Sequence, residues 1–304
     1  LTTVDPNAKE GVFDIVLDTP RAGDALLGRA WAEHSVVAGQ IFSIDARTTP
    51  KVAAVGGALA SAGCPSFAPT SKGYIGNSRE LLSDGLSVGH LTPMVESDGV
   101  VRKIPAVICH EGRAYPSLAL AALWRAAQTG GPAPLTSDWV WSTHRFGGLF
   151  ALSPAGWLSS ASLPGMAVPV DDQGNLRVPY RLERKVFLSV PASQVLNGSV
   201  DPALLRGTIA LVGATAFGIG DVTSTPLSSV AAGVEAHAQT LVGMLDHRLP
   251  YTPSGATGLQ ILAMLLIGVV LLAVVTRRRG APVKRLPIAG AALALACYGG
   301  AATG

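Results

Sequence analysis

The chain has 304 residues, enough for one or two domains with a sizeable core; it is 48% apolar and only 14% charged. Its formal net charge of +3 conceals an asymmetry, because TRRRGAPVKR at 276–285 holds five Lys/Arg and no acid, against 18 basic and 20 acidic residues before Thr276. A body so close to neutral lacks the basic field that nucleic-acid binding requires.

The opening Leu1-Thr2-Thr3 lacks an initiator Met and a signal segment, and Gly304 falls inside an apolar run, so the sequence reads as a piece of a longer protein. Val12 to Leu17 (VFDIVL) predicts a short buried strand with Asp18 at its end. Ala22 to Glu33 has helical spacing, with Leu26, Leu27, Ala30 and Trp31 on one face, and Val36 to Phe42 predicts the next strand. That β–α–β order implies a right-handed parallel crossover. Thr48 to Thr70 reads as a weak helix followed by Pro-rich coil, and Tyr74 to Asn77 as a strand end.

Val88 to Val95 and Gly99 to Cys109 alternate as strands do, and Asp98-Gly99 between them is a strong hairpin signal. His110 to Arg113 marks a second turn. Pro116 to Ala127 predicts a helix that is apolar nearly all round, hence buried against a sheet. Gln128 to Leu163 is a loop-rich insertion with Trp139, Trp141 and Trp157. Met166 to Pro179 reads as a hairpin about Asp171 to Asn175, Val186 to Val190 as a strand, and Pro191 to Asn197 as a short helix stopped by Gly198. Thr208 to Val212 predicts a buried strand that opens into a Gly/Thr/Ser loop. The loop carries Asp221 and the Thr225-Pro226 turn, and at Gly233 an apolar-faced helix begins with Glu235 and His237. The expected class is α/β: a mixed sheet with helices on both faces, followed by transmembrane helices.

Gly258 to Val275 is 18 residues without a charge, close to the ~30 Å of a hydrocarbon core at ~1.5 Å per residue. The basic segment 276–285 then lies in the cytoplasm by the positive-inside rule, 286–304 reads as a second, truncated span, and residues 1–250 lie outside.

Chemical motifs are weak. Gly85-Leu86-Ser87-Val88-Gly89 matches GxSxG, but a nucleophile elbow needs a helix after the serine and a strand is predicted instead. Gly213, Gly218 and Gly220 precede Ile219-Gly220-Asp221 rather than the Lys-Ser/Thr of a phosphate loop, so they read as glycines permitting a tight turn. Glu235 and His237 point about 200° apart on a helix and cannot share a metal ion. His237 reads as a core residue satisfied by a hydrogen bond, and Glu235 as a favourable acid in the first turn. The remaining histidines are scattered, and no metal or cofactor is expected. Asp14, Asp18, Asp98 and Asp221 read as strand-end or turn acids. Cys64 and Cys109 could pair in an extracytoplasmic body, yet separate thiols are the commoner outcome.

Three blocks resemble the type-two CHASE domain (cyclase/histidine-kinase-associated sensory extracellular). They are VFDIVLDTPRAGDALLGRAW with Asp14, Asp18 and Asp24; VESDGVVRKIPAV with Asp98, Gly99 and Arg102; and RGTIALVGATAFGIGDVTSTP with GVEAHAQTL. The last matches the family's Val-Gly-x-Thr-Ala, Gly-x-x-Asp, Thr-Pro and Gly-Val-Glu-x-His-Ala. Its signature positions here are Thr215, Asp221, Thr225, Glu235 and His237. Gly89-His90-Leu91-Thr92 departs from the family, which more often has an Asn there. The resemblance implies an N-terminally truncated sensory domain over 1–250 in the plasma membrane of a bacterium. Its signal, a small molecule or an envelope component, would pass to a cytoplasmic cyclase or kinase beyond this chain. Asp18, Asp98, Arg102, Thr215, Asp221, Thr225, Glu235 and His237 become candidate ligand or signature residues, with membrane lipid and a second copy as further partners. Two other readings stand beside it: an adaptor without output, and an ectodomain hydrolase in which Asp18, Asp221 and His237 would have to converge.

Overall fold

The computed structural model of the chain describes residues 23–44, 50–59, 63–82, 86–127, 139–143, 151–160, 163, 165–214 and 222–278. The predicted strand at Val12 to Leu17, Asp14, Asp18, Thr215, Asp221 and the predicted span 286–304 lie outside them. The described residues fall into two compact units, one of residues 23–143 and 156–251, the other of residues 151–155 and 252–278.

The first unit begins with α1 (Asp24–Glu33) and β1 (Val37–Ser43), close to the predicted bounds. Then come β2 (Lys51–Val52), β3 (Thr70–Ser71), β4 (Gly73–Ile75) and β5 (Ser87–His90). The helix expected after Thr48 is absent from residues 50–59. Ala53 and Gly57 have φ of 62° and 72°, a left-handed geometry that interrupts any helix. β1 pairs with β5 in parallel and with β4 antiparallel, in the order β2-β4-β1-β5.

β6 (Met94–Val95) and β7 (Val101–Pro105) form the hairpin announced by Asp98-Gly99, with Gly99 at φ 79°. β8 (Val107–His110) turns into β9 (Arg113–Pro116) through Glu111 and Gly112, both at positive φ as a two-residue type I′ turn demands. α2 (Leu118–Ala127) follows, and every residue from Leu118 to Arg125 is buried, as its all-round apolar surface foretold. β5 crosses α2 so closely that a Cβ on Gly89 would lie 2.5 Å from the Leu118 Cα and 2.8 Å from its N. That contact, rather than a catalytic turn, is the physical use of the second glycine of the GxSxG match; Ser87 lies on strand β5. Gly89→Ala should therefore cost about 2–3 kcal/mol of stability, read as a lower midpoint in chemical unfolding, because neither backbone can yield.

Within the predicted insertion, the described residues 139–143 and 156–160 are strands. β10 (Trp139–Thr143), β11 (Gly156–Ser160) and β12 (Ala167–Val170) make one antiparallel sheet. The Asp171 to Asn175 turn is present, with Asp171 Oδ1 accepting from the N–H groups of Gln173 and Asn175 at 3.0 and 2.8 Å. It is no hairpin, however: β13 (Asn175–Arg177) pairs with β7, so the turn is a corner between two sheets.

Two more strand expectations fail. Residues 186–190 follow a 3-10 turn (Arg184–Val186) and lie largely exposed. Residues 208–212 join no ladder, and Val212 is 96% exposed. An apolar run becomes a strand only where an edge accepts its peptide groups, and among the described residues neither run has one. Between them lie α3 (Ala192–Leu196), ended as expected at Gly198 with φ 70°, and α4 (Pro202–Leu205), capped by Asp201. β14 (Val222–Thr223) and β15 (Ala231–Ala232) then deliver the chain to α5 (Gly233–Leu245).

The main core joins α2 (Leu120, Leu123, Trp124), β11 and β12 (Leu158, Val168, Val170), β13 (Leu176) and α5 (Leu241, Met244). Each such large side chain contributes roughly 1.5–3 kcal/mol when fully buried. The class is thus mixed α/β, with the described strands spread over several small sheets rather than one. Sequence order had favoured separate thiols, yet Cys64 and Cys109 form a disulfide, with Cα atoms 5.6 Å apart. Pairing of β3 with β8 (Thr70 opposite Cys109) and the Gly63–Arg113 bridge bring the two chain segments together.

In the second unit, α6 (Ala256–Arg278) contains the predicted span. Its 23 residues extend about 34 Å, long and apolar enough to cross a bilayer. Among the described residues it is the one helix that meets that test.

Candidate functional site

The described signature residues occupy two places in the first unit, the β6–β7 hairpin with the turn beside it and the first turns of α5. At the hairpin tip, Asp98 Oδ1 accepts from the Val100 N–H at 3.0 Å, an Asx turn that fixes Gly99. Arg102 then returns a fork to the same carboxylate, Nη1 to Oδ1 at 3.0 Å and Nη2 to Oδ2 at 2.8 Å, and Nη1 also meets Glu96 Oε2 at 2.6 Å. The guanidinium hydrogen bond, helped by the Val100 N–H, holds the Asp98 carboxyl down at about 2, and the two acids raise Arg102 further. These charges are mutually satisfied and exposed enough to be screened, so they shape the turn more than they stabilise the fold.

Thr225 lies beside this hairpin because Val101 N–H donates to Ser224 O at 2.9 Å. Its hydroxyl closes the Thr225-Pro226 turn, donating to Ser228 O and accepting from Ser228 N–H, both at 3.1 Å. The turn feeds β15 and then α5. Ile104 of β7, Val178 and Ala236 of α5 form a small apolar cluster behind the hairpin, with Tyr180 packed against it. Burial pushes the Tyr180 hydroxyl up to about 12.

Along α5, Glu235 in the first turn meets Arg184 Nε at 3.3 Å. His237 is buried, and its Nε2 lies 3.3 Å from Leu91 O, a donor position for that nitrogen. Gln239 fills both peptide groups of Leu182, donating through Nε2 at 2.5 Å and accepting through Oε1 at 3.3 Å. The helix is therefore tied by polar side chains to the strand exit at Leu91 and to the irregular segment at Leu182.

Behind His237 sits His90, wholly buried on β5, with the Phe42 ring edge-on at 6.5 Å between centroids. Burial first, and the neighbouring His237 second, lower His90 to about 3, with the Pro105 backbone acting in the opposite direction. The imidazole is thus neutral at physiological pH. His90, Gln239 and Arg184 escaped the sequence reading as site residues, because their partners lie far along the chain: Gln239 is 57 residues from Leu182, Arg184 meets Glu235 on another element, and His90 neighbours His237 of α5. The departure at Gly89-His90 was the one available signal for His90, and it marked a core position.

Asp98, Arg102 and Thr225 thus gather at one hairpin, while Glu235 and His237 leave α5 in different directions toward Arg184 and Leu91. Among the described residues, no group of three or more His, Cys, Asp and Glu could hold a metal ion. Acids here meet arginines and histidines meet carbonyls, an arrangement suited to fixing one helix to a hairpin and a sheet.

The first unit is thus a mixed α/β domain, and the second holds one helix long and apolar enough to cross a membrane. The CHASE2 domain family matches residues 6–270, and the chain belongs to that family. CHASE2 domains are sensory and extracellular rather than catalytic, which bears out the resemblance carried by the three sequence blocks. No curated protein and no solved structure gives a significant match.

Proposed function

We propose that residues 1–250 are the extracytoplasmic input domain of a bacterial plasma-membrane signalling protein, and that α5 passes its state to α6. In this reading 276–285 is a cytoplasmic loop, 286–304 a second span, and the output is a nucleotide cyclase or a protein kinase. The observation that carries it is the attachment of α5. His237 and Gln239 bind it to two separate parts of the body, and only residues 246–255 separate its end from α6. A ligand acts on such an element only through different affinities for two arrangements of it. The Cys64–Cys109 disulfide and the Arg277-Arg278-Arg279 flank both support a body outside the cytoplasm.

The test is a chimera with a cyclase catalytic domain fused after Arg285, in the cytoplasmic loop of this reading. His237→Ala, which releases α5 from Leu91, should change basal cyclic-nucleotide output. Inserting four Gly/Ser residues between Pro250 and Tyr251 should abolish that difference, since a flexible spacer carries no displacement. If His237→Ala shifted output equally with and without the spacer, coupling through this connection would be refuted.

A further inference from the structure

We infer that residues 151–155, which lead into β11, are a membrane-contacting element whose Leu152 side chain enters the lipid headgroup region beside the first turn of α6. The inference rests on α6 spanning the bilayer. Residues 151–155 belong to the same compact unit as α6. Two main-chain hydrogen bonds tie them to its entry: Ser254 N–H donates to Ser153 O and Gly255 N–H to Ala151 O, both at 2.9 Å. The donors immediately precede the first helical residue, Ala256.

That position sets the depth of the loop. No charged residue occurs from Leu249 to Thr276, so the hydrocarbon core must be filled by this stretch. Ser254 and Gly255 then stand at the boundary between the core and the headgroups, and the backbone of 151–153 is held within hydrogen-bond reach of them. Interfacial elements bury apolar side chains roughly 5–10 Å into the headgroup and acyl boundary.

The loop has the composition for that setting. Leu152 is 67% exposed, although leucine is costly to leave in water. On its N-terminal side the sequence Phe146 to Phe150 has two phenylalanines, a leucine and no charge. In sequence these residues are flanked by Trp157 on one side, and α6's lead-in by Tyr251 on the other. A bilayer covers such a loop without requiring a matching protein surface, and its position is guaranteed by the hydrogen bonds to α6. The ectodomain would thereby hold the membrane at a second point.

The experiment uses the full chain in phosphatidylcholine–phosphatidylglycerol vesicles, with Cys297→Ser and the Cys64–Cys109 disulfide intact. An environment-sensitive fluorophore is attached at Leu152→Cys, at Met264→Cys within α6, or at Glu183→Cys on the exposed surface of the first unit. A lipid bearing a shallow doxyl group should quench the Leu152 probe about twofold or more beyond the Glu183 probe, and its emission should shift to the blue. The Met264 probe should answer to a deep doxyl lipid. A deep Met264 probe together with a Leu152 probe that behaves like Glu183 would overturn the loop contact and leave membrane anchoring standing. A Met264 probe untouched by either lipid would remove the anchoring itself, and the loop contact with it.

Discussion

Breaking the Cys64–Cys109 disulfide should lower stability by about 4 kcal/mol in the chain-entropy description, because the bond closes a loop across a sequence separation of 45. Cys64→Ala is the informative variant. Cys64 is exposed while Cys109 is 3% exposed on β8, so removing the first sulfur leaves the core packing of the second in place. A loss of that size corresponds to a midpoint lower by roughly 8–16 °C for a body of this length. A reductant should bring the unaltered protein to the same midpoint and leave the variant unchanged. An unaltered protein that reacts with maleimide at both cysteines before unfolding would contradict the bond. Its retention also reports compartment, since such a bond persists on the oxidising side of the membrane.

Acid should destabilise the body well above the pH at which its exposed carboxylates titrate. His90 is neutral in the folded state, lowered to about 3 from an ordinary 6.5 by burial and by His237. The unfolded chain takes up a proton below about 6.5 and the folded one does not, so the unfolded state gains. The stability held by neutral His90 is complete above about 6.5 and falls with pH toward about 3, by up to about 1.4 kcal/mol per pH unit. The loss between pH 7 and pH 5 should be about 2 kcal/mol, measurable by denaturant unfolding at each pH. The groups facing this imidazole are His237 of α5, the Pro105 backbone at the end of β7 and the Phe42 ring of β1. His90→Leu should flatten the profile over the same interval even if the variant is less stable at pH 7. Equal slopes for the two proteins would show that another group controls it.

Both effects arise where distant segments meet, and this separates what could be read from the chain. α1, α2, α5 and α6 were legible because an apolar stripe, or an unbroken apolar surface, is written within a dozen or two consecutive residues. The turns at Asp98-Gly99 and Glu111-Gly112 were legible because few residues other than Gly tolerate the backbone they require. The strands near 188 and 210 were misread for the complementary reason. A strand is half a structure, and its apolar residues do not say whether an edge is present to receive it. The Asp171 turn shows the same limit, since its local chemistry was correct while the ladder partner of β13 proved to be β7.

Of the signature residues, Asp98 owes its role to neighbours within four positions, so its turn followed from sequence. His237 could be assigned to the core by helical geometry, but its carbonyl partner and its effect on His90 depend on β5 passing behind α5. The family and the apolar span were thus set by the sequence alone, through motifs and an uncharged run that act locally. Packing decided the disulfide, the neutral His90 and the ties of α5 to Leu91 and Leu182, because each joins residues whose proximity exists only after the chain has folded.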